Sequence, residues 1–338
     1  MNGMMLKERY FGVSPMEVEA IGAFGVAVFF CISGFIIALV SLDRDLKPKI
    51  SIANYTRRRI ERIIPFLWVC VLGYAVLHSM FGEFELAPML RALFIWPVGE
   101  MRPNVVWSLR HEFLFYVLFA ATMLGKRRRI WPLVVWCLVP LIASPFYHGV
   151  ADALGGPQST WSQLYFVVLC GSNSGANVQF GAGLLIAIAY LKGGRFMNPS
   201  LRHGPLLCLL AFILGGAFIQ WTNLEPVTWR PFLWTPVAAC ILLIGVLIAP
   251  PTGPLHRLGL ILGNASFAIY LVHNPVLLAI LEATRFVPSL PPFPALVGAV
   301  IVTAAAGVAA HKLVEVPLLN LFHPKRTPVA AMSSSDKD

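Results

Sequence analysis

Apolar segments long enough to cross a bilayer recur along the whole 338-residue chain. Hydrophobic residues make up 57% of the sequence and charged residues only 12%, about half of the ~25% charged that is usual in soluble domains. Because a helix needs about 20 apolar residues to span the hydrocarbon core, we predict an all-α, polytopic membrane bundle with nine transmembrane helices. The predicted spans are residues 18–41, 63–81, 109–124, 130–148, 177–191, 205–221, 231–249, 266–285 and 294–315.

One apolar stretch, from Trp161 to Cys170, is too short to span and precedes a polar run of small residues. We interpret it as a re-entrant or interfacial segment, or as half of a broken helix. No connection is long enough for a separate soluble domain. We therefore predict a single transmembrane domain over residues 1–320 and a short, disordered cytoplasmic tail at 321–338.

The charge pattern orients these spans. Most of the 26 lysine and arginine residues fall on one side of the predicted helices, which by the positive-inside rule is the cytoplasm and holds the C-terminus. The net charge is +10, but the basic residues flank apolar spans and do not cover a polar domain. No nucleic-acid partner is therefore expected. The six cysteines lie in apolar segments without metal-ligand spacing, so no metal site is expected either.

Four arginines, Arg57, Arg58, Arg59 and Arg62, precede the apolar part of the second predicted span. On a helix, Arg58 and Arg62 share a face and Arg59 lies beside them. Guanidinium groups bind phosphate through paired hydrogen bonds and keep their charge, but basic clusters also mark the cytoplasmic side of a membrane protein. The cluster therefore indicates either a phosphate site or a topology signal.

An acidic residue, Glu112, lies near the outer end of the third predicted span. Helical spacing puts Ser108, Glu112 and Tyr116 on one face. A carboxylate at membrane depth is costly, so it usually faces the bundle interior and has a partner there. Glu112 could equally pair with Arg110 or His111 in the headgroup region, and the residues alone leave both possibilities open.

Polar residues also form a stripe on the eighth predicted span, where Ser266, Tyr270 and His273 recur at helical spacing before Pro275. A polar stripe that opens into a proline kink can line a cavity. An isolated histidine in such a helix is more often a packing residue whose ring bonds a backbone carbonyl. The stripe is therefore a weak indication of a site when taken alone.

Small residues and one further carboxylate complete the pattern. Gly25, Ser33 and Gly34 in the first predicted span allow another helix to approach closely. Glu315 stands just before Pro317, where we predict the last span to end, and we interpret it as a partner in a surface ion pair at the basic cytoplasmic face. Neither feature needs a functional explanation.

Together and in this order, these segments resemble acyltransferase family 3, whose members are bacterial polytopic membrane enzymes that O-acylate sugars of surface polysaccharides and related glycans. The resemblance covers about residues 20–320. The matching motifs are Gly25-Val-Ala-Val-Phe-Phe-Cys-Ile-Ser-Gly-Phe35, Arg57-Arg-Arg-Ile-Glu-Arg-Ile-Ile-Pro65 with Trp68, Trp107-Ser-Leu-x-x-Glu-x-x-x-Tyr116, Tyr270-Leu-Val-His-x-Pro275 and Glu315-Val-Pro317.

The resemblance implies an enzyme of the bacterial inner membrane that transfers an acyl group, usually acetyl from acetyl-CoA, to a carbohydrate hydroxyl. Acyl-CoA would be a donor substrate and not a permanently bound cofactor, and the acceptor would be a carbohydrate or lipid-linked glycan. The catalytic residues that it implies are Glu112, Tyr116 and His273, and the donor-binding residues are Arg58, Arg59, Arg62 and Ser33.

The sequence departs from the family at its first helix. Family members carry an Arg followed eleven residues later by a His assigned as the general base, and none of the eight histidines here has an Arg at that distance. Such a base is typically worth about 10²–10⁴-fold in rate. We predict that the first of the family's about ten helices is missing. Three explanations are open: the helix is encoded upstream, the chain is a pseudoenzyme, or His111 or His273 has taken over the role of the base.

Two other functions fit the residues. A transporter or flippase would use polar stripes and broken helices to line a substrate path, but the chain shows no paired repeats. A non-catalytic subunit that binds acyl-CoA would explain the arginines without the missing base. No serine or cysteine stands beside a base in a recognisable nucleophile arrangement, although Ser33 could act as an acyl carrier.

Overall fold

The computed structural model describes residues 15–80, 85–124, 130–172, 175–193, 230–247, 253–284 and 292–322, with a few positions between 207 and 215. Regular structure in these ranges is helical, apart from one isolated bridge between Leu42 and Pro48. The predicted all-α class is therefore confirmed. The predicted span at 205–221 falls largely outside the described residues, and so does almost all of the predicted tail at 321–338.

The helices are numbered in chain order. They are α1 (Pro15–Ser41), α2 (Ile52–Met80), α3 (Leu86–Leu93), α4 (Val106–Met123), α5 (Ile130–Leu138), α6 (Pro140–Ala143), α7 (Tyr147–Ala153), α8 (Thr160–Val168), α9 (Ala176–Gly193), α10 (Arg230–Leu247), α11 (Pro254–Asn264), α12 (Ser266–Thr284), α13 (Pro292–Ala310) and α14 (Val316–Phe322). A 3₁₀ turn (Ser144–Phe146) joins α6 to α7, and a π turn (His311–Glu315) joins α13 to α14.

Several of these helices can cross a membrane. Within the described residues, four segments are long and apolar enough to do so: Phe24–Ser41, Ile52–Ser79, Ile130–Ala153 and Val297–Phe322. The pair α11 and α12 makes a fifth if it is counted as one span bent by 69°. The structure therefore supports a polytopic helical protein with four or five clear spans, and it does not establish the predicted number of nine.

The outer surface of the bundle is apolar. Large side chains such as Val76 on α2 and Val300 and Ile301 on α13 are about 60% exposed. A soluble protein rarely leaves such rows of aliphatic groups in water. Their exposure is what a surface in contact with lipid chains requires.

Two predicted spans differ in detail from the helices. The predicted helix at 130–148 is interrupted, because Pro140 and Pro145 lack the N–H that would continue a regular ladder, and the segment runs through α5, α6, the 3₁₀ turn and α7. The helix predicted at 63–81 begins at Ile52. The arginine cluster therefore lies inside the first turns of α2.

The core forms around α1, which packs against α4, α9 and α10. An aromatic group joins three of these helices. The ring of Phe30 meets that of Phe115 edge-on at 5.7 Å, and Phe115 stacks on Phe180 at 4.1 Å. Offset and edge-on pairs of this kind add stability beyond the area that they bury.

The crossing of α1 and α9 brings backbone against backbone. A methyl group added at Gly34 would come 2.2 Å from the carbonyl oxygen of Phe180, and one added at Gly183 would come 1.8 Å from that of Cys31. Such contacts leave no room for a side chain. The predicted close approach of another helix is confirmed at Gly34, whereas no atom of the described residues lies within 4 Å of the Cβ position of Gly25.

Replacing Gly183 with alanine is therefore expected to separate α1 from α9 and to destabilise the protein by about 1–3 kcal/mol, as overpacking usually does. The measurement is the midpoint of thermal unfolding of the purified protein in detergent. Gly25→Ala is the matched control on α1, because its methyl group enters open space. Equal midpoints for the two variants would contradict the packing described here.

Candidate active site

A buried carboxylate on α4 is the centre of the candidate site. Glu112 and Tyr116 are one helical turn apart and both are buried. The Tyr116 hydroxyl donates a hydrogen bond to Glu112 Oε1, and Ser33 on α1 lies within hydrogen-bonding reach of the same carboxylate. Glu112 thus faces the bundle interior, where ionisable groups need partners and commonly serve a function.

Arg59 on α2 completes this centre. Its guanidinium carbon lies 5.1 Å from the ring centroid of Tyr116 and 5.6 Å from that of Tyr55. Arg62 is close enough for its charge to act on Glu112. A guanidinium over the face of an aromatic ring is attracted by the negative charge of that face. The two tyrosines therefore hold the Arg59 guanidinium in place near Glu112.

The other two arginines of the cluster, Arg57 and Arg58, are exposed. Arg57 forms an exposed ion pair with Glu61, with 2.6 Å between Nε and Oε1. Arg58 is exposed, and it makes no hydrogen bond or ion pair with the other residues that the structure describes. Of the three predicted donor-binding arginines, Arg59 and Arg62 thus lie close enough for their charges to act on Glu112, and Arg62 is exposed like Arg58.

The alternative partners of Glu112 are engaged elsewhere. Arg110 donates to the carbonyl oxygens of Trp96 at 2.9 Å and Gly99 at 2.6 Å. The buried ring of His111 has Nδ1 3.1 Å from the Trp107 carbonyl oxygen and Nε2 2.9 Å from Ser172 Oγ. The sequence left open that Glu112 pairs with Arg110 or His111. In the structure these two residues bond other groups.

The third predicted catalytic residue, His273 on α12, lies beside a second polar group. Its Nδ1 bonds the carbonyl of Tyr270, and the two rings are 5.6 Å apart. The Tyr270 hydroxyl donates to the carbonyl of Val105 at 2.8 Å and bonds the hydroxyl of Ser108. His273 is thus tied to the backbone of its own helix.

The interpretation of Glu315 as a surface residue is wrong. Its side chain is only 3% exposed and pairs with His311, with 2.7 Å between Oε2 and Nδ1. The helix does not end at Pro317 but continues as α14, which packs against α2. The π turn therefore lies within a packed helix, and Glu315 is buried.

Sequence reasoning missed two contacts of this site. Tyr55 precedes Arg59 by four residues, a helical spacing at which side chains meet. The sequence alone could therefore have predicted this contact. Ser172 and His111 are 61 residues apart. No periodicity within one segment indicates a contact of that kind.

A carboxylate buried beside Arg59 in a bundle of helices with an apolar outer surface defines a helical membrane protein with ionisable groups in its interior. The acyltransferase domain family matches residues 4–312. The chain belongs to this family and is an acyltransferase, which confirms the resemblance seen in the sequence.

Three curated relatives support the assignment. The chain is 32% identical over 322 residues to the exopolysaccharide production protein ExoZ of Rhizobium meliloti (strain 1021), covering 90% of this chain and 92% of ExoZ. It is 26% identical to the acyltransferase MdmB of Streptomyces mycarofaciens over 80% of this chain and 72% of MdmB. It is 23% identical to the peptidoglycan O-acetyltransferase OatA of Listeria monocytogenes serovar 1/2a over 76% of this chain and 45% of OatA. No solved structure matches the chain significantly.

Proposed function

We propose that this protein is a multi-pass enzyme of the bacterial cytoplasmic membrane, with its C-terminus in the cytoplasm, that transfers an acetyl group from acetyl-CoA to a hydroxyl of a cell-surface or lipid-linked carbohydrate. One observation carries the proposal. A guanidinium held on the ring of Tyr116 adjoins a buried carboxylate that bonds the same tyrosine. This arrangement combines a phosphate-binding group with a proton acceptor inside the bundle.

The arginines would bind the donor. Arg59 and Arg62 lie in the first turns of α2, at the end that the charge pattern assigns to the cytoplasm. Coenzyme A carries phosphate groups, which guanidinium binds with two parallel hydrogen bonds. The acyl end of the donor would then extend past Tyr116 toward Glu112.

Glu112 would act on the acceptor. A sugar hydroxyl is a weak nucleophile until a base removes its proton. In the proposed reaction the hydroxyl proton passes to Glu112, which Tyr116 and Ser33 orient. In the overall reaction the new C–O bond forms at the acetyl carbon and the C–S bond of acetyl-CoA breaks. The displaced CoA thiolate takes up the proton that Glu112 releases.

The names of the relatives agree with a carbohydrate acceptor. ExoZ is named for exopolysaccharide production and OatA for O-acetylation of peptidoglycan. Exposed tryptophans such as Trp96 and Trp161 on the predicted outer side offer surfaces on which sugar rings can stack, although tryptophans also anchor membrane proteins at the interface.

The proposal is tested with the purified full chain by following CoA release from acetyl-CoA in the presence of candidate glycans. We expect release that depends on the glycan, together with an acetylated product. Binding of acetyl-CoA without any release would favour a non-catalytic donor-binding subunit. Movement of a glycan across vesicle membranes without acetyl-CoA would instead favour a flippase.

A further inference from the structure

We propose that Ser172 is a covalent acyl carrier and that His111 is its general base. The inference rests on the proposed function, because it assumes an acyl-CoA donor. The two residues form a hydrogen-bonded pair, with 2.9 Å between Ser172 Oγ and His111 Nε2. A nucleophile within hydrogen-bond reach of a base, which a third group orients in turn, is the arrangement of covalent acyl-transfer catalysts.

The backbone of α4 supplies the orienting group. The Trp107 carbonyl can only accept a hydrogen bond, so Nδ1 of His111, 3.1 Å away, carries the proton. In the neutral ring Nε2 is then unprotonated and accepts the hydroxyl hydrogen of Ser172. The rings of Phe30 and Trp107 pack edge-on against the imidazole, and these contacts hold its plane.

The conformation of the connection between α8 and α9 presents the serine. Ser172 has φ +53°, in the left-handed region that residues other than glycine seldom adopt, and Gly171 before it has φ +68°. Strained backbone of this kind persists where the surrounding structure enforces it, and it is frequent at functional sites. Ser172 is half-buried, so the hydroxyl is not sealed within the core.

The position of the pair relative to the donor site suits a relay. His111 and Glu112 are neighbours on α4, and their side chains diverge by about 100° around the helix axis. His111 lies about 7 Å along that axis from the level of Tyr116 and Arg59, a distance that the long pantetheine arm of CoA covers. Ser172 thus bonds the residue next to Glu112 on α4, on the side of that helix level away from Tyr116 and Arg59.

The reaction balances in two halves. In the first, Ser172 Oγ transfers its proton to His111 Nε2 and attacks the thioester carbon. The C–S bond breaks and CoA leaves as the thiolate, which takes a proton from water. In the second, the acceptor hydroxyl gives its proton to Glu112 and attacks the ester. The bond to Ser172 Oγ breaks, His111 returns its proton to that oxygen, and Glu112 releases its proton to water.

The test uses the purified full chain and acetyl-CoA radiolabelled in the acetyl group, without acceptor. We expect wild-type protein to retain up to about one acetyl group per chain after denaturation, and Ser172→Ala to retain none. Ser172→Cys should keep the label as a thioester, which neutral hydroxylamine cleaves whereas it spares an oxyester. A merely structural hydrogen bond would not change the chemistry of the label in this way.

Two further variants distinguish the acylation of Ser172 from the transfer to the acceptor. Glu112→Gln should still accumulate label, because only the second half needs Glu112, whereas His111→Asn should slow labelling by about 10²-fold or more. Ser79→Ala, at the exposed end of α2 with its hydroxyl on the Val76 carbonyl, is the matched control and should label normally. Thermal unfolding midpoints report whether each variant is folded.

Several results would overturn the inference. Label that persists in Ser172→Ala and disappears in Ser33→Ala would make Ser33 the carrier. Glycan-dependent CoA release at the wild-type rate by Ser172→Ala would leave the proposed function intact and remove the intermediate. Absence of CoA release by wild-type protein with every glycan, with no bound label, would remove the proposed function and this inference with it.

Discussion

Changing Glu112 to glutamine is expected to lower glycan acetylation by about 10²–10⁴-fold, the usual contribution of a positioned general base. The amide has nearly the same shape and its oxygen can still accept the hydrogen bond from Tyr116, but it cannot take a proton. Because the arginines remain, the affinity for acetyl-CoA should change little. The loss should therefore fall on kcat and not on donor binding.

The measurement is the rate of acetylated product formation under saturating acetyl-CoA, with donor affinity determined separately by equilibrium binding. Glu85→Gln is the matched control, because Glu85 is exposed before α3 and its side chain makes no capping bond. Tyr116→Phe provides an independent comparison, since it keeps the carboxylate and removes the hydroxyl that orients it. Acetylation by Glu112→Gln at the wild-type rate would exclude Glu112 as the base.

Changing Arg59 to alanine is expected to weaken acetyl-CoA binding by about 10–150-fold, the equivalent of losing one charged hydrogen-bonding group worth about 1.5–3 kcal/mol. Arg59→Lys should recover little of this affinity, because an ammonium group lacks the planar fork that binds phosphate bidentately. Equilibrium binding of acetyl-CoA to the purified protein measures both effects.

Two controls distinguish a specific site from general positive charge. Lys47→Ala removes an exposed lysine that pairs with Asp45 at 3.6 Å on the same predicted side of the membrane, and it should leave affinity unchanged. Arg58→Ala should have a smaller effect than Arg59→Ala, because Arg58 is exposed whereas Arg59 is half-buried against the rings of Tyr55 and Tyr116. Equal losses in all three variants would indicate a diffuse electrostatic attraction and would contradict a donor site at Arg59.

Sequence patterns predicted the parts of the site that lie within single helices. Glu112 and Tyr116 are four residues apart, and helical spacing alone placed them on one face. The contacts of Arg59 with Tyr116 and of His111 with Ser172 join different elements, and only the packed bundle brings them together. Glu315 was misplaced because its burial depends on α14 continuing beyond Pro317, which local sequence rules do not foresee.

The positions of the predicted spans can be compared with the helices, whereas their number, nine, stays a prediction. Most predicted spans coincide with helices, because hydropathy over about 20 residues detects apolar segments well. The breaks at Pro140 and Pro145 and the bend between α11 and α12 depend on packing as well as composition. Hydropathy counted the segment at 130–148 as one continuous helix, whereas the structure interrupts it near these two prolines.

The backbone crossing at Gly34 and Gly183 has a consequence for how substrates enter. Main-chain atoms in direct contact cannot change rotamer as side chains do, so the two helices cannot slide past each other easily. We therefore expect α1 and α9 to move as one rigid body. Ser33 on α1 and Ala176 at the start of α9 belong to this body. Any opening that admits a donor or a glycan should therefore come from movement of the surrounding helices relative to α1 and α9, which stay fixed to each other.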